Sequence, residues 1–563
     1  MQPEKSTDPS ASLGLFLRDS LRINDKQQLE EFLALPDARK LVRSTSYQDI
    51  FIIMKTVGLA DSLELLLLTS EEQRCGFIDL DCWRKDNFYL PRFMEWLAAF
   101  IHCGPEETVQ MARSVDANVL ALFLSESIQV HVLDPEQARP DVPLFLTPDD
   151  RFGIEITGEA ETAAMARLLL DALFRFDPSL GYDLIDRVYW ENRVSLEEEA
   201  YQDKRRRLEE IGFVDYYEAL EIYGEDRTRS LVNSVPIARD ELPLSSTLPA
   251  MLVASLPIGH YLRKALQTVQ TTEQAETISQ GLAALANRLL SVYSVTPGDL
   301  EKVAPALEEM RDTLNLSLEY LTQKQDSHVE EMLQRHDVQS LFKIGFNLIS
   351  QLRDQADHIL RRGNLKLEGS EETLLEFPES EFYAGIKRLR PLFFEGIEDR
   401  AKSSYRHFQN LADLELARKV LDQIDVVSTA FWQMLGVTIR EFAVTDSPVV
   451  NLVRRELRFS QIFNTAVVNF LTSGVFVPAA LSRSKLIAFL REEPLRDPRL
   501  LTDRLVAVAE ERLKTFVEPG QTRALMRQFI RNWAAACADE FIPLVSEEQV
   551  DPRFIRTVVV LLT

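Results

Sequence analysis

Strong catalytic motifs are missing from this sequence. It has no glycine-rich phosphate loop, no Gly-x-Ser-x-Gly nucleophile elbow and no His-Glu-x-x-His metal motif. Each of these motifs carries chemistry because it fixes a nucleophile, a metal ligand or a row of backbone N–H groups at a set spacing. Their absence excludes the enzyme classes that depend on them, so any catalysis would use residues scattered along the chain.

Cysteine is also scarce. The four cysteines are Cys75, Cys82, Cys103 and Cys537, which are too few for a disulfide framework. The first three form, with His102, a cluster of metal-ligand residue types, but it lacks the tight Cys-x-x-Cys pairs of structural zinc sites. We interpret these cysteines as small buried hydrophobes and expect neither a metal nor a cofactor. The N-terminus lacks the basic and apolar regions of a signal peptide, which predicts a cytoplasmic protein.

Basic residues are outnumbered, because 63 Lys and Arg residues stand against 88 Asp and Glu residues and leave a net charge of −25. A surface of this sign repels phosphate backbones, so we expect no nucleic-acid partner. One basic run, Lys204 to Arg207, has acidic residues at the i,i+4 spacing of a helix, which predicts a salt-bridged helix surface. The predicted pairs are Asp203 with Arg207, Arg205 with Glu209, and Arg206 with Glu210.

Long apolar runs are equally rare. Residues 459–482 carry no charge over a length that could cross a bilayer. The run also contains amides and hydroxyls, together with Gly474 and Pro478, which lipid would penalise. We therefore predict a buried helix that ends near Gly474, and no transmembrane segment.

Helical periodicity, by contrast, is abundant. Apolar residues recur at helical spacing from Tyr47 to Val57, and Gly58 follows at a point where a helix end favours positive φ. A leucine-rich run at 63–68 comes next. The sequence Thr-Ser-Glu-Glu at 69–72 then predicts a capping box, in which Thr69 accepts from a free backbone N–H group and Glu72 reaches back to the cap.

The segment from Tyr47 to Ser127 resembles the intracellular N-terminal domain of MgtE-type magnesium transporters. The matching features are the short leucine-rich helix, the Thr-Ser-Glu-Glu cap and the apolar helix after it. The resemblance implies a small superhelical module, related in shape to the middle domains of the flagellar switch protein FliG. It carries no catalytic residues, and magnesium-responsive regulation is one function that it implies.

The whole chain also resembles a family of bacterial proteins of similar length that is known only as a domain of unknown function. The stretch EEIGFVDYYEALEIYG, residues 209–224, carries this second resemblance. It implies no activity.

These patterns predict a mainly α protein with an N-terminal helical-repeat module, a larger C-terminal helical bundle and a small β-hairpin insertion. Apolar and polar residues alternate from Ile128, and a polar turn lies at 148–151, which indicates the hairpin. The predicted divisions are a disordered tail at 1–12, the helical-repeat module at 13–127, the β-hairpin insertion at 128–157, aromatic-rich capped helices at 158–224, a linker or wrapping segment at 225–255, and the C-terminal helical domain at 256–563.

Aromatic residues concentrate in the segment from 182 to 223, with acidic residues among them. Tyrosine-rich surfaces favour recognition because each ring offers a large contact area and a polar tip at low entropic cost. The two alternatives for this segment are core packing of the rings with their hydroxyls satisfied at the rim, which is favoured, and a binding role. The candidate binding residues are Tyr182, Tyr189, Trp190, Tyr201, Phe213, Asp215, Tyr216, Tyr217, Glu218 and Tyr223.

Three functional hypotheses follow. A cytosolic protein-interaction or regulatory scaffold agrees with the capped helices, the acidic surface and the aromatic segment. An enzyme of unknown class, with or without a metal, is the alternative, and its site would lie in the C-terminal helical domain. A magnesium-responsive regulator is the third hypothesis, and it depends on the transporter resemblance.

Overall fold

The structure is a computed structural model of the chain. It describes residues 23–134, 136, 140–224, 247–368, 370–443, 450–452, 456–491, 498–544 and 550–562. The predicted tail at 1–12 and most of the predicted linker at 225–255 lie outside these residues. The chain divides into two compact units, Met1–Phe346 and Asn347–Thr563, and each is described here by itself.

The prediction of a mainly α fold is confirmed. The helices of the first unit are α1 (Lys26–Leu33), α2 (Ala38–Ser44), α3 (Tyr47–Val57), α4 (Leu63–Leu68), α5 (Glu71–Asp81), α6 (Leu90–Cys103), α7 (Pro105–Ser114), α8 (Ala117–Ser125), α9 (Ala160–Phe176), α10 (Pro178–Trp190), α11 (Arg193–Glu209), α12 (Tyr216–Ala219), α13 (Thr247–Ala254), α14 (Tyr261–Gln267), α15 (Thr272–Tyr293), α16 (Leu300–Leu321) and α17 (Val329–Arg335). The boundary between the units falls within α18 (Val338–Arg361). The helices of the second unit are α19 (Glu379–Ile386), α20 (Leu411–Leu435), α21 (Ile439–Ala443), α22 (Phe459–Ser473), α23 (Arg483–Leu490), α24 (Pro498–Phe516) and α25 (Gln521–Leu544).

The described strands are short and form three small antiparallel sheets. They are β1 (Trp83–Arg84), β2 (Asn87–Phe88), β3 (Ile128–Val132), β4 (Leu144–Leu146), β5 (Phe152–Ile156), β6 (Phe393–Phe394) and β7 (Tyr405–Arg406). The predicted hairpin is confirmed as β4 and β5, in which Phe145 faces Ile154. The sheet order is β3-β5-β4, so the strand that begins at Ile128 completes a three-stranded sheet.

Stacked aromatic rings form the centre of the first unit. Phe51 of α3, Phe77 of α5 and Trp96 of α6 are all 1% exposed or less, and their ring centroids lie 5.4–6.4 Å apart. These three helices meet because each carries an apolar stripe at helical spacing, and burial of three such rings stabilises the unit by several kcal/mol. The indole N–H of Trp96 donates to the Asp81 carboxylate at 2.9 Å, which satisfies that donor inside the core.

The capping box of α5 lies one residue later than predicted. The Ser70 hydroxyl accepts from the backbone N–H of Gln73, and the Gln73 side chain accepts from the Ser70 N–H at 2.9 Å. Thr69 instead donates its hydroxyl to a backbone carbonyl at 2.6 Å, and Glu72 is exposed. Burial decides the register, because the Gln73 amide also donates to two carbonyls of the preceding segment. A buried amide whose N–H and C=O groups have hydrogen-bond partners fixes the helix start more firmly than an exposed carboxylate does.

A second core cluster surrounds α15, α16 and the start of α18. A buried amide pair connects it to α3, because Gln48 and Asn287 exchange hydrogen bonds at 2.7 and 3.1 Å. Asn287 also donates to the Ile211 carbonyl at 2.7 Å. Gly345 allows close packing in this cluster, since an added Cβ would lie 2.3 Å from the Thr313 carbonyl oxygen.

The second unit contains the uncharged run predicted to be a buried helix. It forms α22, which ends at Gly474 in the left-handed conformation, so this prediction is confirmed. Asn464 and Asn469 are buried in it and donate to backbone carbonyls, which explains the amides in an apolar helix. In the part of the chain that the structure describes, no helix is both long and apolar enough to cross a membrane.

Candidate functional site

The ten predicted binding residues do not form one surface. Helix α11 separates them, and its 17 residues span about 25 Å at the rise of an α-helix. Tyr189 and Trp190 precede the helix, whereas Phe213, Asp215 and the residues of α12 follow it. The structure therefore divides the predicted site between the two sides of α11, and three of the ten residues pack at the rim of the core.

The N-terminal end of α11 carries an exposed apolar group that we name the turn patch: Tyr189, Trp190 and Val194. Trp190 and Val194 are each 76% exposed and Tyr189 is 40% exposed. The two rings meet edge to face with centroids 4.7 Å apart. Helix α11 starts sharply here because the Asn192 side chain accepts from the Ser195 N–H at 2.9 Å, which holds these side chains on one turn.

The C-terminal end of α11 carries a network of charges. The Tyr201 hydroxyl donates to Asp215, and Arg205 lies 3.2 Å from Asp215 and 3.4 Å from Glu218. Burial and the bond to Asp215 raise the pKa of Tyr201 above its usual value, so its hydroxyl remains a donor. This arrangement holds α12 against α11.

Tyr216 and Tyr217 of α12 lie outside this network. Tyr217 is 83% exposed and Tyr216 is 43% exposed, and the two rings meet edge to face with centroids 5.6 Å apart. They form a second exposed aromatic pair at the end of α11 opposite the turn patch.

Three predicted residues pack at the rim of the core. Tyr182 meets Phe174 edge to face at 5.2 Å, Phe213 packs against both core clusters, and Tyr223 meets Phe346 at 4.6 Å. These rings contribute to packing, which was the favoured alternative for the aromatic segment.

The basic run on α11 is only partly the salt-bridged surface that we predicted. Arg205 does pair with Glu209, at 2.7 Å. Arg206 pairs with Asp203, and the predicted pair of Asp203 with Arg207 does not form. Arg207 instead points into the unit and donates to both oxygens of Asp79 on α5, at 2.6 and 2.9 Å.

The Asp79 side chain is 2% exposed, so this is a buried ion pair. Burial lowers the pKa of Arg207, but the hydrogen bonds and charge of Asp79 outweigh it, and the pKa is raised. Burial raises the pKa of Asp79, and the bonds from Arg207 oppose that effect. We conclude from the bidentate geometry that both groups are ionised. Arg207 also lies 3.5 Å from Asp116, so it joins α11 to two other elements.

Lys204 differs from the arginines that follow it. Its ammonium lies over the Trp83 ring at 4.9 Å and the Tyr201 ring at 5.2 Å, and it donates to the Lys85 carbonyl at 3.2 Å. None of the ion pairs found among the described residues includes it. Burial lowers the pKa of Lys204 to about 8, while the charges of Asp79, Asp215 and Asp86 oppose the decrease.

A cavity of about 370 Å³ also opens on the first unit. Its wall carries both signs of charge, and the charged residues are Lys55, Asp81, Arg92, Asp299 and Glu301. Lys55 lies 3.0 Å from Asp81, and Arg92 lies 3.9 Å from the same carboxylate. Position 298 of this wall favours glycine, because a Cβ added there would lie only 2.6 Å from the Lys55 side chain. The arrangement suits a small polar molecule that carries both charges.

The cysteine cluster does not form a metal site. Cys82 is fully buried, and burial raises the pKa of Cys75 to about 12, so both thiols remain protonated. Across the described ranges, no group of three or more His, Cys, Asp or Glu side chains could hold a metal ion.

The family to which the chain belongs follows from comparison with family models. The model of a family of unknown function, DUF6178, matches residues 6–561. The chain belongs to this family. A search of the curated proteins and a search of the solved structures both found no match. None of the comparisons shows the magnesium-transporter likeness of the segment from Tyr47 to Ser127, and membership of DUF6178 assigns no activity.

In this DUF6178 chain, sequence reasoning missed the residues that stand out most. No motif includes Asp79, Asp81, Trp83 or Lys204. For Arg207, helical spacing predicts a partner on its own helix and gives no sign of the partner on α5. One signal was available: the run at 204–207 contains one lysine and three arginines. Lysine loses its charge on burial far more readily than arginine.

Proposed function

We propose that this protein is a cytosolic interaction scaffold whose binding surface is the turn patch. One observation carries the proposal, namely that Trp190 and Val194 are each 76% exposed beside a half-exposed Tyr189. Single exposed apolar side chains are ordinary on protein surfaces. A tryptophan and a tyrosine at the end of α10, with a valine at the start of α11, expose a larger apolar area, of the kind that contributes most to protein interfaces.

The charges of the chain indicate the kind of partner. The net charge of −25 favours a partner with a basic rim around an apolar centre. Scarce free cysteines support a reducing compartment. The stacked aromatic core would supply a rigid frame, and a rigid surface loses less entropy on binding.

Partner recovery by the intact protein and by Trp190→Ala tests the proposal. We expect the wild-type chain to retain a stoichiometric partner at low salt, and Trp190→Ala to weaken that complex by about 2 kcal/mol, or roughly 30-fold in Kd. Titration calorimetry with the purified partner measures the change. Tyr217→Ala is the matched control, because Tyr217 is an exposed aromatic residue at the other end of α11.

Three results would count against the scaffold or its proposed surface. Recovery of no stoichiometric partner by the wild-type chain would remove the function itself. Equal affinities of Trp190→Ala and wild type would remove the turn patch as the surface, and equal loss in Tyr217→Ala would show that the effect is not specific to it.

A second candidate function is binding of a small zwitterionic molecule in the charged cavity. The observation that favours it is the meeting of two basic and three acidic side chains around about 370 Å³. Opposite charges that line one cavity recognise a ligand with complementary charges when each group is already held in place. Asp81 is fixed by Trp96 and Lys55, which supports a preformed site.

Thermal unfolding in the presence of single amino acids tests the cavity. A ligand present at 100 times its Kd stabilises the folded state by about 2.7 kcal/mol, which raises Tm by several degrees. We expect Arg92→Gln to abolish the increase and Lys26→Gln, which is not part of the cavity lining, to retain it. If no amino acid raises the Tm of the wild-type chain, the cavity is not a site for this class of ligand.

A further inference from the structure

The basic run on α11 contains one cation, Lys204, that no carboxylate among the described residues neutralises by direct pairing. Arg205, Arg206 and Arg207 each have a carboxylate partner within hydrogen-bond distance. Lys204 has two aromatic rings and one backbone carbonyl instead. Lys55 and Lys264 also lie over aromatic rings, but each of them has a carboxylate partner as well.

The surroundings of Lys204 are built by tertiary contacts. The β1–β2 hairpin packs on α11, since the Phe88 N–H donates to Glu197 of α11 at 2.9 Å. This brings Trp83 to a ring-centroid distance of 6.0 Å from Tyr201. Trp83 is only 7% exposed, and its indole N–H has no acceptor among the described residues. The Lys204 amine thus lies beside a buried indole that has an unused hydrogen-bond donor.

Lys204 nevertheless remains within reach of solvent. Its side chain is half-buried, and its bond to the Lys85 carbonyl lies at the surface turn of the hairpin. A lysine becomes more nucleophilic when its amine is partly removed from water and still accessible to a reactant.

We propose that Lys204 is a reactive lysine that condenses with an aldehyde or ketone to form an imine. The neutral amine nitrogen attacks the carbonyl carbon, and a C–N bond forms. The carbonyl oxygen then leaves as water, with both of its hydrogens supplied by the amine. The reaction needs no oxidant or reductant, and water reverses it.

The pH range of this reactivity follows from the groups around Lys204. Asp79 on α5, Asp86 in the hairpin turn and Asp215 before α12 all favour the ammonium, and burial outweighs them. Tyr201 has a raised pKa and stays neutral in this range. At pH 7, about 10% of an amine with a pKa near 8 is neutral, against about 0.03% of an ordinary lysine.

Reductive trapping on the full chain tests the proposal. The protein is incubated with pyridoxal as the aldehyde probe and with cyanoborohydride, which reduces the imine to a stable amine, and mass spectrometry measures the modification of each lysine from pH 6 to pH 10. We expect Lys204 to react at least tenfold faster than Lys26 at pH 7, because Lys26 is paired with Asp61 and has a raised pKa. The rate at Lys204 should level off above pH 8, whereas the rate at Lys26 should continue to rise.

Two controls make the result specific. Lys204→Arg keeps the charge and should remove the fast-reacting site, whereas Lys26→Arg should leave it unchanged. In urea, where the hairpin no longer packs on α11, Lys204 and Lys26 should react at similar rates. The proposal is overturned if Lys204 in the folded chain reacts no faster than Lys26 at pH 7, or if its rate still rises tenfold per pH unit between pH 8 and pH 10.

Discussion

The N-terminal end of helix α11 and its C-terminal half, from Tyr201 onward, contain similar residues in opposite environments. At its N-terminal end, Trp190 is 76% exposed, and its ring contacts Tyr189. Towards its C-terminal end, Tyr201 contacts Trp83, which is 7% exposed, and charged partners surround both. The difference arises from what packs on the helix, because the β1–β2 hairpin places Trp83 against Tyr201 and α5 supplies the partner of Arg207, whereas Trp190 stays exposed. Aromatic composition therefore indicates neither exposure nor binding.

The contacts of α11 that stabilise the fold therefore lie at its covered end, from Tyr201 onward. The turn patch at the other end is free to contact another molecule. Variants at the covered end should reduce stability, and variants at the turn patch should leave it unchanged. Three predictions test this division, and all use the free energy of unfolding measured by urea denaturation.

The largest expected effect belongs to the buried ion pair. Arg207→Met keeps an unbranched apolar stem but leaves the Asp79 carboxylate buried without its charged partner. We expect a loss of about 3 kcal/mol, at the lower end of the range for broken buried pairs because Arg207 is one-third exposed. Arg206→Met is the matched control, since Arg206 is 73% exposed, and it should change stability by less than about 0.5 kcal/mol. Similar losses in both variants would contradict the assignment.

A smaller loss is expected for the hydroxyl at the covered end. Tyr201→Phe removes the hydrogen bond to Asp215 and keeps the ring against Trp83. The expected cost is about 1 kcal/mol, because the acceptor is charged but half-exposed. Tyr217→Phe removes a hydroxyl from a residue that is 83% exposed and should cost almost nothing. The prediction is wrong if both variants unfold at the same urea concentration.

The smallest effect should follow removal of the most exposed ring. Trp190→Ala is expected to change the free energy of unfolding by no more than about 0.5 kcal/mol, as surface substitutions do. Trp83→Ala removes an indole of the same size from a buried position and should cost about 3 kcal/mol. A large loss in Trp190→Ala would mean that the turn patch supports the fold and is not a free surface.

Much of the helical architecture could be predicted from the sequence. Helix α3 and its end at Gly58, the hairpin from 144 to 156, and α22 with its end at Gly474 all follow from local patterns. The capping box at α5 was predicted one residue too early, because Gln73 is selected by buried contacts with the preceding segment. Local spacing alone cannot distinguish Glu72 from Gln73.

The tertiary contacts around α11 could not be predicted from the sequence. Helical spacing gave Arg207 a partner four residues away, whereas its actual partner, Asp79, is 128 residues away. The aromatic residues were predicted to act together because they are close in the chain, but a helix of about 25 Å separates them. Contacts between distant residues leave no periodic signal, so neither the ion pair nor the charged cavity could be predicted.

The sequence by itself determined that this protein is mainly α, acidic and free of recognisable catalytic motifs. These properties follow from periodicity, composition and short-range spacing, each of which acts over a few residues. Only the tertiary structure decided which aromatic rings are exposed, that Arg207 pairs with the buried Asp79, and that Lys204 lies over the rings of Trp83 and Tyr201. Burial is the physical reason, because it depends on elements far apart in the chain, and it changes both the energy of a charge and the reactivity of an amine.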